Sequence, residues 1–176
     1  MADADLPDDL LRGGEREQIE AFLHDQRVAI AALLDGMTEE QARRRLVPSL
    51  TTLLSVVKHA AYVERVWFDV ALAGRSRAEV GIPETVDESF TLTDEDTVGS
   101  VARQYREAWA SAVAIGAAHG LDDVAEHNRR GLLNLRWIYL HMVRELARHA
   151  GQGDILREQI LAADGSGPPA AGTRPV

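Results

Sequence analysis

Cysteine is absent from this chain of 176 residues. Its absence excludes disulfide bonds, thiolate metal sites and a cysteine nucleophile, so any reactive sulfur would have to come from a ligand. Metal ligation would rest on the six histidines and the 28 aspartates and glutamates. Lysine is nearly absent as well: Lys58 is the only one, and all other basic side chains are arginines.

Long hydrophobic runs and an excess of positive charge are also missing. No apolar stretch approaches the ~18–20 residues that span a bilayer. The formal net charge of −9 argues against binding to nucleic acid or to an anionic membrane surface, because a negative field repels phosphate. The chain begins with acidic residues where a signal peptide would be basic, so we expect a cytoplasmic protein.

What the sequence does contain is apolar residues at helical spacing in four long stretches. These stretches predict helices from Glu15 to about Leu34, from Thr51 or Thr52 to Ala73, from about Thr93 to His119-Gly120, and from Asn134 or Leu135 to Ile160. A capping box at Thr38-Glu39-Glu40-Gln41 predicts a further brief helix. No strand series is recognisable, so the sequence predicts an all-α fold, and four helices of this length suit a four-helix bundle.

The remaining segments are predicted to be connections or ends. Residues 75–94, rich in Gly, Pro, Asp and Thr, are expected to form a long loop, and residues 121–133 a polar connection. We expect residues 1–13 and 163–176 to be flexible, the latter because its Gly/Pro-rich composition offers nothing to pack. The helical domain then covers residues 14–162.

One polar column in the last predicted helix stands out as candidate chemistry. His141, Glu145 and His149 follow one another at four-residue intervals and therefore lie on one helix face, beside the apolar stripe. His59 lies in the most apolar stretch of the second helix and could face this column, as in bundles whose helices share a metal site. From spacing alone, a single buried histidine such as His59 is usually a hydrogen-bonded core residue, and Glu145 with His149 could be an ordinary charge-assisted pair. Serine and threonine are scarce near these positions; Ser55 lies one full turn from His59.

Three blocks of sequence resemble a known family. They span residues 15–49, 52–68 and 135–158, and the third, from Leu135-Arg136-Trp137 through Ala147-Arg148-His149, is the most distinctive. The sequence resembles the DinB-like superfamily, in particular its mycothiol-dependent branch. This resemblance implies a four-helix bundle of up-down-down-up topology, in which a long crossover is needed and residues 75–94 are the natural candidate.

The resemblance also implies a metal site and a chemistry. The family's ligands correspond to His59, Glu145 and His149, for which zinc is favoured, although nickel or iron would also fit. The resemblance further implies a transferase that joins mycothiol, a low-molecular-weight thiol, to an electrophilic small molecule, for example in detoxification. His141 is expected beside the metal, in contact with thiol or substrate.

The sequence departs from the family pattern at two positions, and two alternative functions stay open. Position 144 is arginine where many relatives show an acid, and position 152 is glutamine where many show histidine. Arg144 and Arg148 are candidate cofactor-binding residues, or a clamp for the two carboxylates of a maleyl-type diacid, which would favour a mycothiol-dependent isomerase. A non-catalytic, metal-binding stress protein would instead close the site with His141 as fourth ligand, and a homodimer stays an open option.

Overall fold

The computed structural model describes residues 10–165. The terminal segments that we expect to be flexible therefore fall largely outside the described residues, at 1–9 and 166–176. Within the described range the fold is mostly helical, as the sequence predicts. Its helical elements are a short 3-10 turn (Leu10–Arg12), α1 (Glu15–Ala32), α2 (Glu39–Arg43), α3 (Leu53–Glu64) continued by a π-helical segment (Arg65–Leu72), α4 (Arg77–Val80), α5 (Val86–Phe90), α6 (Val98–Ala117) and α7 (Leu135–Ala163).

The core lies between the long helices. Helix α1 packs against α7, and α3 packs against α6, while α3 also contacts α7. Their inward faces contribute large, fully buried side chains: Leu23, Ile30, Leu54, Phe68, Tyr105, Met142 and Leu146. At Gly153 the helices approach so closely that a Cβ atom would clash with the Leu33 side chain. None of the described helices has the length and hydrophobicity required to cross a membrane.

A buried ion pair links α1 to α3 inside this core. The guanidinium of Arg27 donates from Nε and Nη2 to the two carboxylate oxygens of Glu64, both at 2.7 Å. Both side chains are buried, and the Arg27 guanidinium carbon lies 5.6 Å from the Phe68 ring centroid. The pair is bidentate, which is the strongest geometry for arginine and carboxylate.

The second long helix differs from the single α-helix that we predict. Its first part is α-helical from Leu53, with Thr52 as N-cap, but from Arg65 to Leu72 the backbone widens into a π-helix. The segment ends at Leu72 with Ala73 as its C-cap, and Gly74 follows with a φ of +73°, the left-handed conformation that glycine tolerates. π-Helical segments are rare and concentrate at functional sites, and this one follows directly on the helix that carries His59.

The predicted loop at 75–94 contains two short helices. Ser76 and Thr85 each accept a hydrogen bond from the backbone N–H three residues on, so α4 and α5 both begin with a capping box. Helix α6 begins after Thr97, and not near Thr93 as predicted. Thr97 is the N-cap, because its side chain accepts from the Ser100 N–H. The N–H and hydroxyl of Thr93 both donate to the Asp96 carboxylate, which also receives Lys58.

A small hairpin interrupts the connection for which no strand is predicted. Strand β1 (Val124–Ala125) pairs antiparallel with β2 (Leu133–Asn134), immediately before α7. Such two-residue strands are too short to leave an alternating hydrophobic pattern, which explains why the sequence does not reveal them. The Asn134 side chain then accepts from the Trp137 N–H and caps α7.

Candidate metal centre

Three side chains from two helices converge on one point. His59 of α3 and Glu145 and His149 of α7 each offer one ligand atom, and these atoms all lie within 4.8 Å of one another. Within residues 10–165 it is the only group of three or more histidine, cysteine or acidic side chains with this arrangement. The two histidines are buried and Glu145 is partly exposed. The three residues could therefore hold a metal ion.

Helix geometry and helix packing explain why these three side chains lie close together. Residues four apart in an α-helix are separated by about 6 Å along the axis and share a face, and this places Glu145 beside His149. The His149 Nε2 atom lies 3.3 Å from Glu145 Oε1. Packing of α3 on α7 brings in His59, whose Nε2 lies 3.8 Å from the same oxygen.

Ser89 fixes which nitrogen of His59 is free. The Ser89 hydroxyl donates its proton to the Val86 carbonyl, so its oxygen can only accept from His59 Nδ1, 2.7 Å away. Nδ1 then carries the proton, and Nε2 presents a lone pair towards Glu145. Phe90 holds the same imidazole from the side, with the two rings stacked at 4.1 Å between centroids.

Gln152 does the same for His149. The side-chain carbonyl oxygen of Gln152 lies 3.0 Å from His149 Nδ1, and because it can only accept, Nδ1 carries the proton. His149 Nε2 therefore also presents its lone pair to the carboxylate. Partners of this kind on the outer nitrogen are typical of histidines that ligate metals.

The charges and distances of this group fit a cation. When the imidazoles carry a proton on Nε2, hydrogen bonds from His149 and then from His59 lower the pKa of Glu145 well below its ordinary value, so the carboxylate is ionised. Burial lowers the pKa of His59, which favours loss of its second proton. Without the Nε2 protons, two ring lone pairs and a carboxylate face one another, and a cation can take the place of those protons. In a tetrahedral zinc site with bonds of about 2.0–2.1 Å, neighbouring ligand atoms lie roughly 3.3 Å apart; the His149–Glu145 distance equals this value, and the His59–Glu145 distance of 3.8 Å is longer.

The group opens onto a cavity of about 910 Å³. His59 and Glu145 form part of its wall, and the π-helical segment contributes Val66, Trp67 and Val70. Three protein ligands with an open side match a catalytic metal site, whereas structural zinc sites are closed by four protein ligands. The arrangement leaves room for a small molecule to reach the metal position.

The other predicted site residues line the same cavity without joining the ligand group. The Arg144 guanidinium donates to His141 Nδ1 at 3.0 Å, which leaves the proton of His141 on Nε2. The His141 ring stacks on Trp137, with 5.0 Å between the ring centroids, and contacts Trp67 edge-on. Burial, and to a lesser extent Arg144 and Arg130, lower the pKa of His141, so its neutral form is favoured. Arg148 is exposed at the cavity wall.

Sequence reasoning misses Ser89 and Phe90. They come from α5, inside the stretch predicted to be a loop, thirty residues from the histidine that they support. The capping box Thr85-Val86-Asp87-Glu88 was the available signal, because it predicts a helix that would bring Ser89 and Phe90 onto one short element. The expectation that hydroxyl groups are scarce near the ligands is therefore wrong for His59.

The fold and the site together define a helical protein with a candidate His₂Glu metal centre at the wall of a cavity. Comparison with protein families gives a match to the mycothiol S-transferases over residues 18–162. The chain therefore belongs to the mycothiol S-transferase family, a DinB-like family, which confirms the resemblance seen in the sequence. No individually curated protein matches the chain.

Proposed function

We propose that the protein is a metal-dependent S-transferase that joins mycothiol to an electrophilic small molecule. The observation that carries the proposal is the open group of His59, Glu145 and His149 beside a cavity, in a chain with no cysteine of its own. Membership of the mycothiol S-transferase family indicates that the thiol is mycothiol. A bound divalent cation, for which zinc best suits two imidazoles and a carboxylate, would supply the charge that favours the thiolate over the thiol.

The balance of the reaction is simple. The sulfur of the thiol forms a bond to an electrophilic carbon, the bond from that carbon to its leaving group breaks, and the leaving group takes the electron pair. The proton of the thiol is released. In this reaction Ser89 and Gln152 hold the ligand imidazoles in the required tautomers, and the side chains of the π-helical segment exclude water from one wall of the cavity.

His141 is the proposed catalytic residue. Its Nε2–H is a donor while Arg144 occupies Nδ1, so a neutral His141 can donate one hydrogen bond to the thiol or to the departing group. Arg144 and Arg148 are the proposed cofactor-binding residues, since both line the cavity that would receive mycothiol. With Nδ1 occupied by Arg144, His141 is poorly placed as a fourth protein ligand, which counts against a closed structural site.

We propose that α1, α3 with its π-helical continuation, α6 and α7 form an up-down-down-up four-helix bundle, with the segment at 75–94 as the crossover. The bundle domain covers residues 14–162, between flexible segments 1–13 and 163–176. A cytoplasmic protein without nucleic-acid or membrane partners fits the net charge of −9.

The test compares turnover with and without thiol. Metal-loaded protein is incubated with a panel of alkyl halides and esters, with and without mycothiol, and products are identified by mass spectrometry. We expect a thioether only in the arm with mycothiol and no product from His149→Ala protein. His24→Ala, which removes an exposed imidazole on α1, is the matched control and should keep full activity. Equal turnover in both arms would show a hydrolase instead.

A second candidate function is thiol-dependent isomerisation of a maleyl-type diacid. It is favoured by Arg144 and Arg148, which could each bind one carboxylate at the wall of the cavity. Isomerisation regenerates the thiol and leaves the mass of the substrate unchanged, whereas transfer consumes one thiol for each product. Thiol titration during turnover of maleate therefore separates the two functions.

A further inference from the structure

The cavity beside the candidate metal centre has the opposite charge to the rest of the chain. Acidic residues outnumber basic ones by 28 to 19 over the whole sequence. The cavity wall instead contains five arginines against three carboxylates, one of which is the proposed ligand Glu145. The arginines are Arg77, Arg129, Arg130, Arg144 and Arg148. A positive cavity in a negative protein attracts anions to that position.

Two of these arginines are already engaged by protein groups. Arg77 donates to the Pro83 carbonyl at 2.7 Å and to the Tyr62 hydroxyl at 3.1 Å. Arg144 donates to His141. Arg129 and Arg130 differ, because within residues 10–165 their side chains donate no hydrogen bond and pair with no carboxylate. Their guanidinium groups are therefore available to a ligand.

The hairpin holds this arginine pair in place. Asn128 donates from its side chain to the carbonyls of Ala125 and Gly131, at 3.0 and 3.1 Å, and accepts from the Arg130 N–H at 2.9 Å. Gly131 has a φ of +84°, which the turn requires and glycine allows. These three bonds fix the backbone on both sides of Arg129.

The hairpin is also docked on the helices that form the cavity. The ring of His127 packs so close to Gly74 that a Cβ there would lie 3.0 Å from it, at the end of the second long helix. Arg130 lies over Trp137 of α7, with its guanidinium carbon 5.6 Å from the ring centroid. The arginine pair is thus presented on a prepared turn and does not rely on a free loop.

We propose that Arg129 and Arg130 bind a carboxylate of the electrophile, so that the preferred second substrate is an anionic molecule with an apolar body. Two guanidinium groups on adjacent residues suit the oxygens of a carboxylate. The apolar part would lie against Val66, Trp67 and Val70, which line the same cavity. This inference rests on the proposed S-transfer and assigns the class of its electrophile.

The experiment uses two electrophiles with the same reactive carbon, para-(chloromethyl)benzoate and its methyl ester. Each is assayed with mycothiol and metal-loaded protein, as wild type and as the double variant R129Q/R130Q. We expect KM for the carboxylate to rise by about 10–100-fold in the variant, since two charge-assisted hydrogen bonds are lost. The ester and mycothiol should keep their KM values. The control R103Q/R106Q removes two exposed arginines of α6 outside the cavity and should behave as wild type.

A binding measurement separates failure of this inference from failure of the proposed function. Quenching of tryptophan fluorescence by para-toluate, which has no leaving group, is titrated in the same proteins without thiol. Weaker binding in R129Q/R130Q than in R103Q/R106Q supports the carboxylate site even if no transfer occurs. Equal binding in both variants overturns it, as does an equal loss for carboxylate and ester or a rise confined to the KM of mycothiol.

Discussion

Two carboxylates lie at the second long helix, one within it and one packed against it, and their surroundings differ. Glu64 is fully buried, and both of its oxygens accept from a single Arg27 guanidinium. Glu145 is only partly buried and faces the lone pairs of His59 and His149. The charge of Glu64 is balanced by Arg27, which makes a closed pair. The charge of Glu145 is balanced only when protons or a cation join the two histidines, which makes an open group.

This contrast shows that burial alone does not identify a functional acid. A buried pair with all its hydrogen bonds made is a structural feature, and its energetic value lies in neither partner being left alone. A functional group is recognised by what its neighbours leave unsatisfied. Around Glu145, Ser89 and Gln152 each take the proton of one imidazole away from the carboxylate.

The largest expected effect is a loss of stability when Arg27 is removed from its ion pair with Glu64. Arg27→Met leaves the Glu64 carboxylate buried without its partner, and should lower the free energy of unfolding by about 3–5 kcal/mol. The measurement is urea unfolding followed by circular dichroism. Metal bound per folded molecule should stay unchanged, because neither residue belongs to the ligand group. A loss below about 1 kcal/mol would show that Glu64 finds another partner.

The second largest effect is expected on metal binding when Glu145 is replaced. Glu145→Gln removes the charge but keeps the shape, and should weaken metal binding by more than ~100-fold, beyond the ~10–100-fold typical for an outer partner. Stability of the metal-free protein should change by less than about 1 kcal/mol. Glu158→Gln, at an exposed position on the same helix, is the matched control for both measurements. Unchanged metal stoichiometry, measured by elemental analysis, would remove Glu145 from the site.

Removing an orienting group should have a smaller effect than removing a ligand. Ser89→Ala deletes the acceptor that holds the proton on His59 Nδ1, and should weaken metal binding by about 10–100-fold while leaving the ligands in place. Ser100→Ala, in the capping box of α6, is the control and should not alter the affinity. Affinities are compared by competition with a chromogenic chelator, and equal values for both variants would leave Ser89 without this role.

The smallest effect is expected when both partners of the closed pair are replaced together. Arg27→Met combined with Glu64→Leu exchanges the ion pair for apolar groups of similar volume, a change that is often neutral. The free energy of unfolding should return to within about 1 kcal/mol of wild type. Additive losses from the two substitutions would mean that the pair also stabilises other groups, such as the neighbouring Tyr105.

The sequence predicts that Glu145 and His149 lie side by side, because this geometry is local. Glu145 and His149 are four residues apart on one helix, and helical periodicity is enough to put them on one face. His59 lies 86 positions before Glu145; its place in the apolar second helix makes it a candidate, and the family resemblance pairs it with that column, since single-sequence periodicity gives no register between helices. The start of α7 at Leu135 follows from the cap at Asn134.

The parts that sequence reasoning misses depend on non-local contacts or on short elements. The π-helical segment has the same apolar composition as the α-helix before it, so its wider turns leave no pattern in the sequence. The hairpin that carries Arg129 and Arg130 consists of two-residue strands. Helix α5 is five residues long and is stable only through its packing on α3.

The hydrogen bond that His59 donates to Ser89 has a consequence for the behaviour of the segment at 75–94. Helix α5 is too short to be stable on its own, yet it supplies the group that selects the binding-competent tautomer of a buried ligand. Binding and local folding are then thermodynamically linked, and linkage is reciprocal. A ligand that stabilises the group of His59, Glu145 and His149 must, to the same extent, lower the equilibrium population of the locally open form of residues 86–90, so slower hydrogen exchange at those amides would report occupancy of the site.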